Sequence, residues 1–111
     1  MSSNPGISVH LTFTVDPSNV DKFFEHFRPV YEAVIAEPEC AFFEVYQAPD
    51  NAGEIHAVEN WSMTVEELME KQITKPYYKP FAEAAEPLLL KPREVKVLNR
   101  VGKSYFYVKE Q

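Results

Sequence analysis

The segment ISVHLTFTVDP, residues 7–17, decides how the chain starts: a strand that leads directly into a helix. Apolar residues occupy every second position, and polar residues fill the positions between them. Successive side chains of a strand point to opposite faces, so the segment predicts a strand with one apolar face. Asp16 followed by Pro17 is typical of a helix N-cap and first turn. The apolar positions are Ile7, Val9, Leu11, Phe13 and Val15.

The same reading continues outward along the chain. Apolar residues recur at helical spacing from Val20 to Ile35, and Pro38 ends that helix. Thr64 and Glu67 form a capping box, which predicts the start of a second helix. Strands are predicted at 41–48, 54–62 and 92–101, and helices from 65 to about 74 and at 81–86. The predicted apolar stripe of the second helix is Val65, Leu68, Met69 and Ile73.

This β-α-β-β-α-β order predicts an α+β fold of the ferredoxin-like kind, an antiparallel sheet with both helices on one face. The 111 residues predict one domain, 1–111, with its core at 7–101 and an extended tail at 102–111. Phe42, Tyr46 and Val58 are placed on the sheet face away from the helices, which predicts sheet-on-sheet pairing into a homodimer. The aromatic residues of the tail are expected to act as clasps in that dimer.

Charge and cysteine content exclude several classes of partner. The net charge of −6 argues against a nucleic-acid partner and against anionic membranes. The segment MSSNPGIS carries no secretory signal, and the lone Cys40 permits no intrachain disulfide, so a cytoplasmic location is expected. The three histidines lack metal-ligand spacing, and no Gly-rich phosphate loop exists, so neither a metal nor a nucleotide cofactor is predicted. The run KPREVK, residues 91–96, is interpreted as solvated surface.

A second stretch, HAVENWSMT at 56–64, carries the functional question. On a strand, Glu59 and the only tryptophan, Trp61, share one face, whereas Asn60 faces the other way. The segment is either an ordinary amphipathic strand end, with a core tryptophan and a solvated or paired carboxylate, or one wall of a pocket. In the second case Glu59 would be a buried carboxylate with a raised pKa, able to act as a base.

The chain resembles the antibiotic biosynthesis monooxygenase family of dimeric α+β barrels over residues 7–101. The resemblance rests on SVHLTFTV, AEPECAFFEVYQAPDNAG and VENWSMTVEELMEKQITKPYYKPF in that order. The matching positions are Glu37, Pro38, Cys40, Glu44, Glu59, Trp61 and Pro76. The segments YYKPF and EPLLLKPRE look similar to fungal members. Two positions depart from the family pattern: Gln72 stands where many members have a histidine, and Ala57 where some quinol oxidisers have an asparagine.

The resemblance implies a monooxygenase of secondary metabolism that oxidises a small aromatic phenol, quinol or anthrone-like substrate with O2 and no cofactor. A non-oxidative polyketide cyclase or isomerase, or a non-catalytic dimer that binds a small ligand, are the alternatives. The absent histidine argues against haem degradation. The predicted catalytic residues are Glu59, Trp61, Gln72 and His56. The predicted substrate-binding residues are His10, Phe13, Phe27, Asn60, Tyr77, Tyr78 and Phe81.

Overall fold

The computed structural model describes residues 4–110 and contains a four-stranded antiparallel sheet with helices packed on one face. The strand order β2-β3-β1-β4, with crossover connections through the helices, confirms the predicted ferredoxin-like α+β fold. Residues 1–3 and 111, which belong to the predicted domain and tail, lie outside the described part. The strands are β1 (Ile7–Thr14), β2 (Cys40–Ala48), β3 (Asn51–Trp61) and β4 (Glu94–Asn99).

The first helix, α1 (Val20–Ile35), follows a 3-10 turn at Pro17–Asn19 and packs on β1 through aromatic rings. Asp16 Oδ1 accepts a hydrogen bond from the Ser18 amide at 2.9 Å, which confirms the predicted N-cap. The ring centroids of Phe13 and Phe23 lie 5.1 Å apart, within the range of favourable aromatic pairs. The apolar face of β1 is therefore covered by α1, as its alternation predicted.

The second helical region differs from the prediction. The capping box is present and opens α2 (Val65–Glu67), but the chain then continues as a π-helical stretch, Leu68–Gln72. Ile73 N donates to Leu68 O at 3.0 Å, five residues back, and this wider turn changes which side chains face the core. Of the predicted stripe only Leu68 is buried, together with Gln72, whereas Met69 and Ile73 line an open cavity between the helices and the sheet. The exposed members are Val65, Met69 and Ile73.

The remaining boundaries shift by a few residues. Helix α3 (Tyr78–Ala85) begins before the predicted 81–86, because Pro80 lies in its first turn, where no backbone N–H is needed. A 3-10 turn, Glu86–Leu88, follows it. Strand β4 is shorter than the predicted 92–101, and β3 begins at Asn51 rather than 54. Within residues 4–110, no helix is long and apolar enough to cross a membrane.

The sheet face away from the helices carries the side chains that the sequence placed there. Phe42 pairs with Asn60, and Tyr46 pairs with His56, so both belong to the same face as Val58. No helix covers this face within the described residues. Tyr46 is 41% exposed and Leu98 is 43% exposed. The face is thus a mixed apolar and polar surface that is partly exposed.

Candidate functional site

A cavity of about 630 Å³ lies between the sheet and the helices. Its walls come from the apolar face of β1, from α1 and α3, and from the helix-facing side of β4. Because Val9 pairs with Val97 and Leu11 with Val95, the two strands present one continuous apolar wall. The apolar wall residues include Val9, Leu11, Phe13, Phe27, Val30, Val34, Phe43, Phe81, Val95 and Val97.

Glu59 places a carboxyl group in the apolar part of the cavity lining. It lies on β3 between Val9 of β1 and Phe43 of β2, so the sheet holds its backbone from both sides. Its side chain lines the cavity, yet the residue is only 7% exposed. Trp61, fully buried two residues further on, donates from Nε1 to Glu59 Oε1 at 2.8 Å. Each of the two interpretations of this segment therefore holds in part. Trp61 is a core tryptophan, and its N–H donates to a buried carboxyl group on the cavity wall.

The second carboxylate oxygen of Glu59 is free for a ligand. Among residues 4–110, every fully buried side-chain nitrogen or oxygen has a hydrogen-bond partner. The only hydrogen bond of the Glu59 side chain in that part of the chain is the one at Oε1. Oε2 is therefore in contact with the open space of the cavity.

Burial raises the pKa of Glu59 from 4.5 to about 7, and the hydrogen bond from Trp61 opposes that rise. Removal of a carboxylate from water disfavours its charged form, while a donor to the charged form stabilises it. At neutral pH the group is thus present in both protonation states. A general acid or base works best when its pKa lies near the working pH, and Glu59 meets that condition.

Gln72 holds two tyrosine hydroxyls rather than facing the cavity. It is 2% exposed, and its Nε2 donates to Tyr77 Oη at 2.6 Å and to Tyr78 Oη at 2.8 Å. Tyr78 lines the cavity, and burial raises its pKa, so its hydroxyl keeps its proton at neutral pH. The π-helical stretch therefore places an amide directly behind a tyrosine of the cavity wall.

The segment between the π-helical stretch and α3 is tied to the end of α1. Tyr77 Oη donates to Glu37 Oε2 at 2.7 Å, and Lys75 Nζ lies 2.8 Å from the same oxygen. The hydrogen bonds from Lys75 and Tyr77 lower the pKa of Glu37. Burial, followed by the bond to Glu37, raises the pKa of Tyr77. Glu37 is thus a charged anchor for the residues that form one side of the cavity.

The structure brings together only part of the predicted site. Four predicted wall residues line the cavity together with Glu59, whereas Trp61, Gln72 and Tyr77 lie behind the wall. The four are Phe13, Phe27, Tyr78 and Phe81.

Three predicted site residues, His10, His56 and Asn60, lie on the opposite sheet face and do not line the cavity. They occupy even-numbered positions of β1 and β3, and the side-chain period of two turns them away from Glu59. His56 Nε2 lies 2.7 Å from Glu54 Oε2, and its Nδ1 lies 3.1 Å from Thr12 Oγ1. His10 Nε2 lies 2.9 Å from Ser8 Oγ. No group of three or more His, Cys, Asp or Glu side chains able to share a metal ion occurs within residues 4–110.

Three basic residues of the cavity, Lys75, Lys79 and Arg93, were missed by the sequence analysis. Arg93 and Lys79 both line it, although the run containing Arg93 was interpreted as solvated surface. Both residues are exposed, so the interpretation of Arg93 as solvated surface describes its charged group but not its position at the cavity. The available signal was the alternation of Arg93, Val95 and Val97, which places all three on one face of the strand and its N-terminal extension.

Two sequence comparisons identify the family of this chain. The family model for antibiotic biosynthesis monooxygenase matches residues 6–63. A proposed monooxygenase of the fungus Pestalotiopsis microspora is 41% identical over 97 residues, which are 87% of this chain and 81% of that protein.

Solved structures show the same fold. A proposed antibiotic biosynthesis monooxygenase of Caulobacter crescentus superposes with a TM-score of 0.79 at 20% identity, over 88% of this chain and 92% of that one. A conserved protein of Methanosarcina mazei gives a TM-score of 0.78 at 22% identity, over 88% and 95% of the two chains. The structural similarity shows the fold, whereas the sequence matches show the family. The Pestalotiopsis relative is consistent with a fungal-type member, and this chain belongs to the antibiotic biosynthesis monooxygenase family.

Proposed function

We propose that this protein is a cofactor-independent monooxygenase that oxidises a small aromatic phenol, quinol or anthrone-like substrate with O2. The observation that carries the proposal is the Glu59 carboxyl group, which is buried, has a pKa of about 7 and faces an apolar cavity. Membership of the family supports the same reaction class. The substrate class and the use of O2 are the parts that experiment has to test.

The cavity is suited in size and chemistry to a flat aromatic ligand. Its volume of about 630 Å³ lies within the usual range of small-molecule sites. Phe27 and Phe81 present rings at its wall, with centroids 5.5 Å apart in an edge-to-face arrangement. Aromatic walls of this kind exclude water from around a bound ligand. Without water to screen them, the electrostatic interactions that accompany proton transfer to Glu59 become stronger.

In the proposed reaction, Glu59 Oε2 takes a proton from the acidic C–H or O–H of the substrate. The resulting carbanion gives electrons to O2, and the new C–O bond yields a peroxide on that carbon. Glu59 then returns its proton to the outer oxygen of the peroxide. The O–O bond breaks as the remaining hydrogen of that carbon is lost as a proton, so that water leaves and a carbonyl remains. For an anthrone the balance is one ring methylene and one O2 in, one ring carbonyl and one water out, with O2 as the only oxidant.

Tyr78 is the proposed hydrogen-bond donor to the oxyanion that forms when the substrate loses its proton. Its hydroxyl accepts from Gln72 Nε2, which fixes the oxygen, and burial keeps the hydroxyl protonated. A preorganised donor in a low-dielectric site stabilises developing negative charge more than the same donor in water. Gln72 acts through Tyr78 and is therefore proposed as a positioning residue.

We also propose that two protomers pair through the helix-free sheet face, with the tail residues of each clasping the other. The face carries Phe42, Tyr46 and Val58, and the exposed tail carries further aromatic residues. Tyr105 is 85% exposed and Tyr107 is 82% exposed, so the tail buries little apolar surface within its own chain. Contact with a second copy would remove both surfaces from water.

Oxygen uptake with anthrones and hydroquinones tests the proposed function. Wild-type protein should consume one O2 per product, and Glu59→Gln should lower kcat/KM by about a hundredfold or more, because a general base contributes about 10²–10⁴-fold. Glu83→Gln, an exposed carboxyl group on α3, is the matched control and should retain full activity. Under labelled O2, one label should enter the product and the other should enter water.

Three results would count against the proposal. Turnover of the substrates without uptake of O2 would favour the cyclase or isomerase alternative. Full activity in Glu59→Gln would remove the base from the mechanism, and ligand binding with no turnover of any substrate would favour a binding protein.

A further inference from the structure

Basic side chains contribute to the lining of the cavity, and Arg93 lies four residues before Val97, whose partner Val9 also pairs with Glu59. The basic residues of the lining are Lys75, Lys79 and Arg93, in a chain whose net charge is −6. Lys75 is neutralised by its ion pair with Glu37 at 2.8 Å. The side chains of Lys79 and Arg93 have neither an ion pair nor a hydrogen bond within residues 4–110. Two uncompensated cations therefore stand beside an apolar cavity.

Arg93 lies where this cavity meets a neighbouring one. A second cavity of about 500 Å³ shares Phe13, Phe81 and Arg93 with the first and has Lys91 in its lining. Lys91 Nζ lies 3.5 Å from Glu94 Oε2, so its charge is partly compensated by an exposed partner. Arg93 and Lys79 are exposed, which places their charged heads toward the opening while their stems line the wall.

We propose that the ligand of this cavity is an aromatic carboxylic acid, with its rings inside and its carboxylate at the opening between Lys79 and Arg93. The proposal rests on the ligand cavity of the proposed function and names the chemical class of its substrate. Guanidinium and ammonium groups are the donors that hold carboxylates, and Arg93 has its full set of N–H groups available. The overall negative charge of the protein makes these local cations the feature that would admit an anion.

The same charges fix the orientation of the ligand. A carboxylate pushed inward would meet Glu59 in an apolar wall, where like charges repel more strongly than in water. A carboxylate at the opening keeps that distance and remains partly solvated. The end of the ligand away from its acid group is thus the end presented to Glu59, so the proton that Glu59 removes belongs to the ring remote from the carboxylate.

A matched ligand pair tests the proposal by binding alone. Anthraquinone-2-carboxylate and anthraquinone-2-carboxamide have the same rings and differ in charge. Calorimetry on the wild-type protein should give a Kd for the carboxylate about tenfold lower than for the amide. The same preference should be visible in the quenching of Trp61, the only tryptophan of the chain.

The double variant Lys79→Gln/Arg93→Gln should bring the two dissociation constants within about twofold of each other, chiefly by weakening the carboxylate. Lys22→Gln, an exposed lysine of α1 that does not line the cavity, is the control and should keep the tenfold ratio. The wild-type ratio should also fall with added salt, because exposed ion pairs are screened.

Equal affinities in the wild-type protein, or a ratio that the double variant leaves unchanged, would overturn the proposal. These outcomes are separable from those of the oxygen-uptake test. Oxidation of neutral substrates with equal affinities would leave the function standing and remove the acid preference. A strong carboxylate preference without O2 uptake would keep the ligand class and remove the oxygen chemistry.

Discussion

Burial of the Glu59 carboxyl group destabilises the folded protein at neutral pH. The same burial raises the pKa of the group, which makes it a better base. A surface carboxylate would be charged and strongly hydrated at pH 7, and so a weak base. The buried group has a pKa of about 7, because desolvation outweighs the hydrogen bond from Trp61. A group with perturbed ionisation inside a cavity is a frequent mark of a functional site.

The pKa of Glu59 predicts a pH dependence of stability. Its pKa is higher in the folded than in the unfolded protein, so the folded state holds the proton more tightly. Stability is therefore full below pH 4.5 and falls as the pH rises toward 7, by about 3 kcal/mol in total for this group. Glu59→Gln keeps an acceptor for the Trp61 N–H but does not titrate, and should be the more stable protein at pH 8.

Urea unfolding of both proteins between pH 4.5 and pH 8 measures this effect. The difference in the free energy of unfolding should grow with pH and level off above pH 7. Other titrating groups are common to both proteins and cancel in the difference. Parallel curves at all pH values would mean that Glu59 ionises normally in the folded state.

Among the elements, the π-helical stretch Leu68–Gln72 has the largest consequence for the site. A continuous α-helix was expected to bury Leu68, Met69 and Ile73, but the wider turn leaves the last two exposed. Gln72 is buried instead, and its amide reaches Tyr77 and Tyr78. Single π turns inside helices are often associated with functional sites, as this position beside the cavity illustrates.

The hydrogen bonds of Gln72 predict a specific coupling to Tyr78. Gln72→Leu should lower the free energy of unfolding by about 1–3 kcal/mol, because it leaves two partly buried hydroxyl groups without their donor. In a Tyr78→Phe background the same substitution should cost less, since one of those hydroxyls is already gone. Lys71→Leu, on the exposed neighbour, should change stability little.

The measurement is a double-mutant cycle by urea unfolding. A coupling energy indistinguishable from zero would show that the Gln72 bond to Tyr78 adds nothing in solution. A KM change without a kcat change in Gln72→Leu would separate a role in binding from a role in stabilising the oxyanion.

At the scale of the whole molecule, much of the exposed apolar surface lies on the helix-free sheet face and on the tail. The Cα radius of gyration is 14.9 Å, against about 13 Å for a compact domain of 111 residues. Val101 is 77% exposed and Val108 is 63% exposed. Exposed apolar surface on this scale is typical of a protein with a partner, in agreement with the proposed homodimer.

The dimer proposal predicts a concentration-dependent assembly that one substitution disrupts. Wild-type protein should sediment as a dimer at about 10 µM, since a stable interface of standard size gives micromolar affinity or better. Val58→Asp, at the centre of the helix-free face, should sediment as a monomer with unchanged circular dichroism. Ile35→Asp, on an exposed apolar position of α1, should remain dimeric.

A monomeric wild-type protein at this concentration would reject the proposed pairing. Dimers that persist in Val58→Asp but dissociate on removal of residues 103–111 would place the contact in the tail instead. Either result is distinguishable by sedimentation velocity.

The order of elements followed from patterns that are local in sequence. The alternation in β1 and the capping box at Thr64 and Glu67 are satisfied within a few residues, so sequence reading found both. The shared face of Glu59 and Trp61 was predicted for the same reason, since the period of a strand is two. The face assignment of Phe42, Tyr46 and Val58 follows from this rule as well.

The departures arose where tertiary packing decided the result. Nothing in the local pattern of residues 65–74 distinguishes an α turn from a π turn, and burial of the Gln72 amide depends on two hydroxyls supplied by another segment. His10, His56 and Asn60 were included in the site by residue type, although their strand positions turn them from the cavity. The role of Arg93 required knowing that β4 forms part of the cavity wall.

By itself, the sequence determined the α+β order, the helix-facing side of β1, β2 and β3 and the pairing of an acid with an indole on one of those sides. These properties depend on side-chain periods of two and about 3.6, which a linear reading can count. Only the tertiary structure decided that Glu59 is desolvated, that Gln72 supports Tyr78 from behind the cavity wall, and that Lys79 and Arg93 contribute to the cavity lining. Each of these depends on how the helices and the sheet pack around the cavity, which the spacing of residues along the chain does not give.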